Sequence, residues 1–201
     1  MLRSGCPSYA STAAGEHRMY GLIHEALQGH VIASAGDEVW ARVLRSAGAE
    51  GAVFHGMSQY PDALTYKLVF AASEAMGVSA AELLRSFGRY WVLETAPRHY
   101  GPLMSFTGRN FAEFMTNLDR MHDRVATIYL NLRQPSFETE RLDERTMRLH
   151  YRSQREGLAP FVIGVIEGLG ERFRVRVEVE LAESRDRGAD HDVFVVRYDA
   201  L

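Results

Sequence analysis

FRVRVEVEL, residues 173–181, alternates apolar and charged side chains without interruption. Successive side chains of a β-strand point to opposite faces of a sheet, so this order predicts a strand with one apolar and one charged face. The last strand is predicted over Asp192 to Tyr198, and the polar stretch ESRDRGADH separates the two. Two strands joined by a polar loop predict an antiparallel hairpin.

A third strand of the same sheet is predicted over Met147–Ser153, where the sequence runs into HYRSQREGL. On an extended chain Tyr151, Ser153 and Arg155 share one face, so two hydroxyl groups and a guanidinium lie together. Arginine binds planar oxyanions through two nitrogens, which makes a carboxylate or phosphate the natural partner. The structural alternative is a strand end at which Arg155 pairs with an Asp or Glu of the chain itself.

The residues before Pro135 have helical periodicity instead. The predicted helices cover 20–48 in two parts broken at Gly36-Asp37, then 63–76 after a turn at Tyr60-Pro61-Asp62, 79–95 with a capping box, and about 110–130. Pro97 and Pro102 are expected to interrupt the fourth helix, and a further helix is predicted over Pro160–Leu169. The expected fold class is α+β: a helical N-terminal subdomain packed on a C-terminal subdomain with a mostly antiparallel sheet and helices.

Composition excludes several classes of protein. The 201 residues are 46% hydrophobic with a net charge of -3, and the basic residues are scattered, so no nucleic-acid partner is expected. One cysteine excludes an internal disulfide framework and a cysteine-rich metal site. Residues 1–18 lack the apolar core of a signal peptide, and the apolar stretch 158–170 is too short to span a bilayer. We expect a cytoplasmic protein without membrane contact, with residues 1–18 a flexible extension and 19–201 a single domain.

A histidine interrupts the apolar stripe of the helix predicted near 110–130. The residues on that stripe are Phe111, Phe114, Met115, Leu118, His122 and Val125. Burying an imidazole without a partner costs roughly 1–3 kcal/mol, so its nitrogens need something to bind. The structural alternative is a core histidine bonded to a backbone carbonyl, and the functional one is a ligand of a metal or of haem iron. A haem needs an axial imidazole and an anchor for two propionates, which His122 and the Tyr151, Ser153, Arg155 trio together provide.

From Met19 onward the sequence resembles the haem-nitric oxide/oxygen binding (H-NOX) family, found as stand-alone bacterial sensors and in the soluble guanylate cyclase β-subunit. The motifs that carry the resemblance are MYG (19–21), FGRYW (87–91), NLDRMHDRVATIY (117–129), RQPSF (133–137), HYRSQREGL (150–158) and HDVF (191–194). The resemblance implies haem b between the two subdomains, with His122 as the axial iron ligand and Tyr151, Ser153 and Arg155 on the propionates. It also implies haem contacts from Pro135, which helps to bend the ring, from Ile23, and from Met115 and Leu118 on the face of the histidine.

Gas choice in this family depends on a distal residue that matches Phe161 here, where oxygen-binding members have a tyrosine. A phenyl ring donates no hydrogen bond, so the resemblance implies binding of nitric oxide and CO at ferrous haem and exclusion of oxygen. Trp91 is expected on the same side, and its N–H, or the hydroxyl of Tyr90, leaves an oxygen-binding sensor as one alternative. A haem carrier or storage module is another.

The resemblance further implies signalling through a separate partner, a histidine kinase or a cyclic-di-GMP enzyme. An enzyme is not expected. The Asp119-x-x-His122-Asp123 cluster places Asp123 on a different helical face from His122, and neither His-Glu-x-x-His nor Gly-x-Ser-x-Gly occurs.

Overall fold

The structure, a computed structural model, describes residues 18–129 and 133–200. The predicted flexible extension, residues 1–18, lies outside the described residues except for Arg18. That residue begins a strand, in which Arg18 is paired with Pro61. Among the described residues, no helix combines the length and the apolar character needed to cross a membrane.

Helices make up most of the described chain before residue 130. They are α1 (Gly21–Ala35), α2 (Asp37–Ser46), α3 (Asp62–Met76), α4 (Ala80–Tyr90), α5 (Ala96–Thr107), α6 (Phe111–Thr116), α7 (Leu118–Ala126) and, later in the chain, α8 (Ala159–Phe173). A π-helical turn, Trp91–Thr95, joins α4 to α5. The strands are β1 (Arg18–Tyr20), β2 (Gln59–Pro61), β3 (Ser136–Arg141), β4 (Thr146–Arg152), β5 (Val175–Glu183) and β6 (Asp192–Ala200).

Most predicted helices are confirmed. The break at Gly36 separates α1 from α2, and Ser79 and Glu82 form the predicted capping box at the start of α4. The predicted interruption is confirmed just before Pro102, where the helix is kinked, and is wrong at Pro97, through which the helix continues. Pro97 occupies the first turn, where a helix needs no N–H donor, and non-helical angles at Tyr100 kink the helix before Pro102.

The predicted sheet is also confirmed, with one strand more. Its order is β3-β4-β6-β5, and every neighbouring pair is antiparallel. Met147, Leu149 and Tyr151 of β4 are buried on the inner face of this sheet, which packs on α5, α6 and α8. The outer face carries ion pairs such as Arg148–Glu140 at 2.5 Å.

Helices α4 and α8 join the helical part to the sheet part at very short range. A Cβ added to Gly164 would overlap the carbonyl oxygen of Arg85 and lie 3.0 Å from its Cα. At Gly88 an added Cβ would overlap the Phe161 carbonyl oxygen and lie 2.9 Å from the Val165 nitrogen. Glycine is therefore required where the two helix backbones touch. This contact fixes the end of α4, with Trp91 after it, relative to Phe161 on α8.

Candidate ligand-binding site

A cavity of about 230 Å³ lies where the start of α1, the π-helical turn, α5, α7, the segment before β3, the end of β4 and α8 meet. The predicted site residues on its wall are Ile23, Trp91, Leu118, His122, Pro135, Tyr151, Ser153, Arg155 and Phe161. Met115 is fully buried in the core and is not part of the wall that the described residues form. The fold thus gathers predicted residues from both halves of the chain around one cavity.

His122 faces this cavity from α7. Its ring packs against Phe137 with centroids 5.2 Å apart, and its Nδ1 is buried with no hydrogen-bond partner among the described residues. Desolvation lowers the pKa of His122 to about 4, despite the opposing charge of Asp123. The imidazole is therefore neutral near pH 7, which is the form that binds a metal. The carbonyl partner that the structural alternative requires for Nδ1 does not occur in the described part of the chain.

Tyr151, Ser153 and Arg155 meet at the end of β4, as the alternation predicts. Tyr151 is buried, and desolvation raises the pKa of its hydroxyl, which also interacts with the Ser153 side chain. The Ser153 oxygen accepts a hydrogen bond from the Arg155 backbone N–H at 3.1 Å. The strand itself ends at Arg152, so this hydrogen bond holds Ser153 and Arg155 together where the ladder stops.

The Arg155 guanidinium also has a partner in the chain itself. Its Nε donates to Asp62 Oδ2 at 2.8 Å and its Nη2 to Oδ1 at 3.3 Å, and each side chain is only 12% exposed. Nη2 and Nη1 donate further to the carbonyl oxygens of Arg18 (3.1 Å) and Arg133 (3.3 Å). Arginine has five N–H donors, so among the described contacts one on Nη1 stays available. The predicted structural pairing therefore exists on the wall of the cavity.

The remaining predicted residues set the apolar character of the wall. Phe161 packs on Phe87 with ring centroids 5.4 Å apart, and Trp91 follows α4. Tyr90 instead lies against α1, where its ring is 5.2 Å from that of His30. Its hydroxyl lies 2.8 Å from the position of an added Gly29 Cβ. Tyr90 is not among the described residues of the cavity wall.

Sequence reasoning missed several polar residues of the wall: Tyr20, Tyr100, Tyr129 and Gln134. The Tyr100 hydroxyl donates to that of Tyr129 at 3.0 Å, and burial raises the pKa of Tyr100. The Tyr20 ring meets the Tyr129 ring edge-on at 4.7 Å. Gln134 Nε2 is buried without a partner in the described structure. Tyr20, Tyr129 and Gln134 stand inside the quoted motifs, which was the one signal that could have identified them.

These residues fit a haem. The cavity wall is largely apolar, two of its buried polar atoms, His122 Nδ1 and Gln134 Nε2, have no partner among the described residues, and the hydroxyls and guanidinium suit carboxylates. In the described chain no three His, Cys, Asp or Glu side chains converge as a metal site. A single imidazole suits iron that brings its own porphyrin ligands better than it suits a bare ion.

Known proteins resemble this chain in sequence and in fold. A family model described as Haem-NO-binding matches residues 20–181. Soluble guanylate cyclase gcy-31 of Caenorhabditis elegans is 26% identical over 91% of this chain and 26% of its own length. Soluble guanylate cyclase gcy-32 of the same organism is 31% identical over 77% of this chain and 23% of its own length. The chain thus spans about a quarter of these curated relatives.

Solved structures show the same fold. An H-NOX protein from S. oneidensis in the Fe(II)NO ligation state superimposes with a TM-score of 0.81 at 20% identity, covering 90% of this chain and 99% of that one. An unliganded Fe(II) H-NOX mutant from K. algicida gives a TM-score of 0.79 at 21% identity, covering 90% and 97%.

Proposed function

The chain belongs to the H-NOX family of haem-based gas-sensor domains, and we propose that it binds ferrous haem b through His122 and senses nitric oxide and CO while excluding oxygen. The observation that carries the proposal is the neutral His122 imidazole, turned into a cavity with its Nδ1 unpartnered among the described residues. The role is sensing, since the family is one of sensor domains, and no catalytic role is proposed for these residues.

The residues would hold the haem from two sides. His122 would bind the iron, and Pro135 and Ile23, on the wall of the same cavity, would be apolar contacts of the haem. The Tyr151 and Ser153 hydroxyls and the free Nη1 donor of Arg155 would bind the propionates. When bound, ferrous haem supplies the iron at which nitric oxide and CO bind.

The choice of gas follows from the donors that line the cavity. Phe161 offers none, and the Tyr100 hydroxyl already donates to Tyr129. Oxygen binding needs a donor that stabilises its polar complex, whereas nitric oxide and CO need less help. An oxygen-binding sensor is the second candidate, and the observation that favours it is the presence of other donors on the wall, the Trp91 N–H, the Tyr129 hydroxyl and Gln134 Nε2.

Helix α7 connects His122 to the sheet. Asp119, one turn before His122, accepts the Phe137 backbone N–H of β3 at 2.5 Å, two residues after Pro135. A change in what His122 binds therefore acts on β3 through the same helix. We propose that a separate cytoplasmic partner, a histidine kinase or a cyclic-di-GMP enzyme, detects this change and that the chain is a bacterial stand-alone sensor.

An absorption series tests the proposal. The reduced, haem-loaded protein should show a five-coordinate ferrous spectrum that changes with CO and with nitric oxide but not in air. His122→Gly should lose this spectrum and regain it with free imidazole, whereas His55→Gly, at an exposed loop histidine, should keep it. A normal spectrum of His122→Gly without imidazole would contradict the ligand assignment. A reversible spectral change in air would favour the oxygen sensor, and rapid haem loss to apomyoglobin would favour the carrier.

A further inference from the structure

Strand β5 forms one edge of the sheet and has only one neighbour. It pairs with β6, and no described residue bonds to the backbone groups of residues 175–180 on the other side. The available stretch ends at Leu181, whose carbonyl oxygen accepts a hydrogen bond from Arg187 at 3.0 Å, just before a register shift at Glu183. A free edge with unpaired N–H and C=O groups is a template for another strand.

Before the register shift at Glu183, two charges on the outer face of β5 have no ion pair within the described chain. Arg176 lies opposite Asp199, but Asp199 pairs with Arg145 at 2.6 Å. Glu178 lies opposite Arg197, which pairs with Glu180 at 3.4 Å. On the neighbouring strands, Glu138 and Glu140 pair with Arg152 and Arg148. On the part of β5 before the register shift, the charges without an ion pair are thus a cation and an anion two positions apart.

The order of residues on this edge is self-complementary. In an antiparallel pair centred on Val177, Val175 lies opposite Val179 of the second copy, and Arg176 lies opposite its Glu178. The two-fold axis repeats both contacts, so each outward charge meets an opposite one and each inward position joins two valines. We propose that the chain forms a symmetric dimer in which the β5 edges of two copies join into one continuous sheet.

The other edge lacks this property. The outward side chains of β3 are Ser136, Glu138 and Glu140, so a two-fold pairing of β3 has no outward cation to place opposite either glutamate. A closed two-fold pair also uses up the β5 edge and cannot extend into a fibre. The paired stretch has about five residues in each copy and buries far less surface than the roughly 1,200 Å² of stable interfaces. We therefore expect weak association, and the measurement covers protein concentrations of up to about 1 mM.

Sedimentation equilibrium with charge reversals tests the dimer. The wild-type chain of 22.7 kDa should approach twice that mass as its concentration rises, and added salt should oppose this. Arg176→Glu places two glutamates opposite each other and Glu178→Arg places two arginines opposite each other. Each variant alone should raise the dissociation constant by roughly tenfold or more. An equimolar mixture of the two should dimerise, because each reversed charge then meets its complement.

Glu183→Arg is the matched control for Glu178→Arg. It makes the same charge change on β5, but beyond the register shift, so it should leave association unchanged. Each test variant also places a like charge opposite a residue of β6, which could destabilise the fold, so thermal unfolding is measured together with the mass. The mixture is decisive because a folding defect cannot produce dimers. A wild-type chain that stays monomeric at about 1 mM would overturn the proposal and leave the edge for a strand of another protein. A dimer that both reversals leave intact, or a mixture that stays monomeric, would overturn it equally.

Discussion

Gly164→Ala should destabilise the protein, because the α4–α8 contact has no room for a methyl group. The added Cβ would overlap the Arg85 carbonyl oxygen, and the next atom, the Arg85 carbonyl carbon, would lie 2.7 Å away. Both atoms belong to a helix backbone and cannot rotate aside, so the helices must separate. Overpacking costs about 1–3 kcal/mol, and a backbone clash belongs at the upper end, about 3 kcal/mol. Alanine has a higher helix propensity than glycine, which stabilises the variant by up to about 1 kcal/mol. The free energy of unfolding should therefore fall by about 2 kcal/mol in total.

Urea unfolding followed by circular dichroism measures this loss, and thermal melting should show a decrease of about 4–8 °C for a chain of this size. The control is Gly101→Ala in α5, where an added Cβ meets no atom within 4 Å. That variant should be neutral or stabilised by up to about 1 kcal/mol. If Gly164→Ala is as stable as the wild type while Gly101→Ala behaves as expected, the two helices do not touch at Gly164 as described.

Two further predictions concern buried charge. Asp62→Asn removes the anion beside Arg155, which is only 12% exposed, and should lower the free energy of unfolding of the haem-free chain by roughly 1–3 kcal/mol, the cost of leaving buried donors without their full partner. Bound haem should reduce that loss by supplying a carboxylate, and an equal loss with and without haem, measured by urea unfolding, would contradict the propionate role of Arg155. His24 is fully buried, and desolvation lowers its pKa from 6.5 to about 4. Between these two pH values His24 is protonated in the unfolded chain but neutral in the folded chain. Stability should therefore fall by up to about 1.4 kcal/mol per pH unit between pH 6.5 and 4, and His24→Gln, which keeps a neutral partner for Thr65, should make the slope shallower; an unchanged slope would rule out His24 as its source.

Local periodicity explains which elements could be predicted. The strict alternation in β5 and in β4 reflects two different environments on the two faces of a strand, and that signal needs no knowledge of the partner strand. Strand β3 has the short sequence SFETER, in which Phe137 alone is fully buried, so the pairing with β4 defines it more than its own pattern does. Pro102 indicated an interruption of the helix, but the sequence did not show that the chain would resume as a helix after non-helical angles at Tyr100.

Sequence alone indicated those site residues whose polar side chains stand on a face that is otherwise apolar or inward. His122 stood in an apolar stripe, and the Tyr151, Ser153, Arg155 trio placed polar groups on an inward face. The salt bridge between Asp62 and Arg155 joins residues 93 positions apart, so neither residue's local sequence could reveal it. The Tyr100–Tyr129 hydrogen bond likewise depends on the kink in α5 that brings the two hydroxyls to 3.0 Å.

Arg155 gives the proposed sensor a physical link between its cavity and the arrangement of its two parts. Its guanidinium binds Asp62 at the start of α3 and the Arg18 carbonyl in β1, while its backbone follows β4 of the sheet. A carboxylate that binds the remaining Nη1 donor shares the positive charge of the same guanidinium with Asp62 and so weakens the attraction between Arg155 and Asp62. Binding at the cavity therefore changes how firmly α3 and β1 are held to the sheet. By linkage, any partner that alters this hold changes the affinity for the ligand by the same factor.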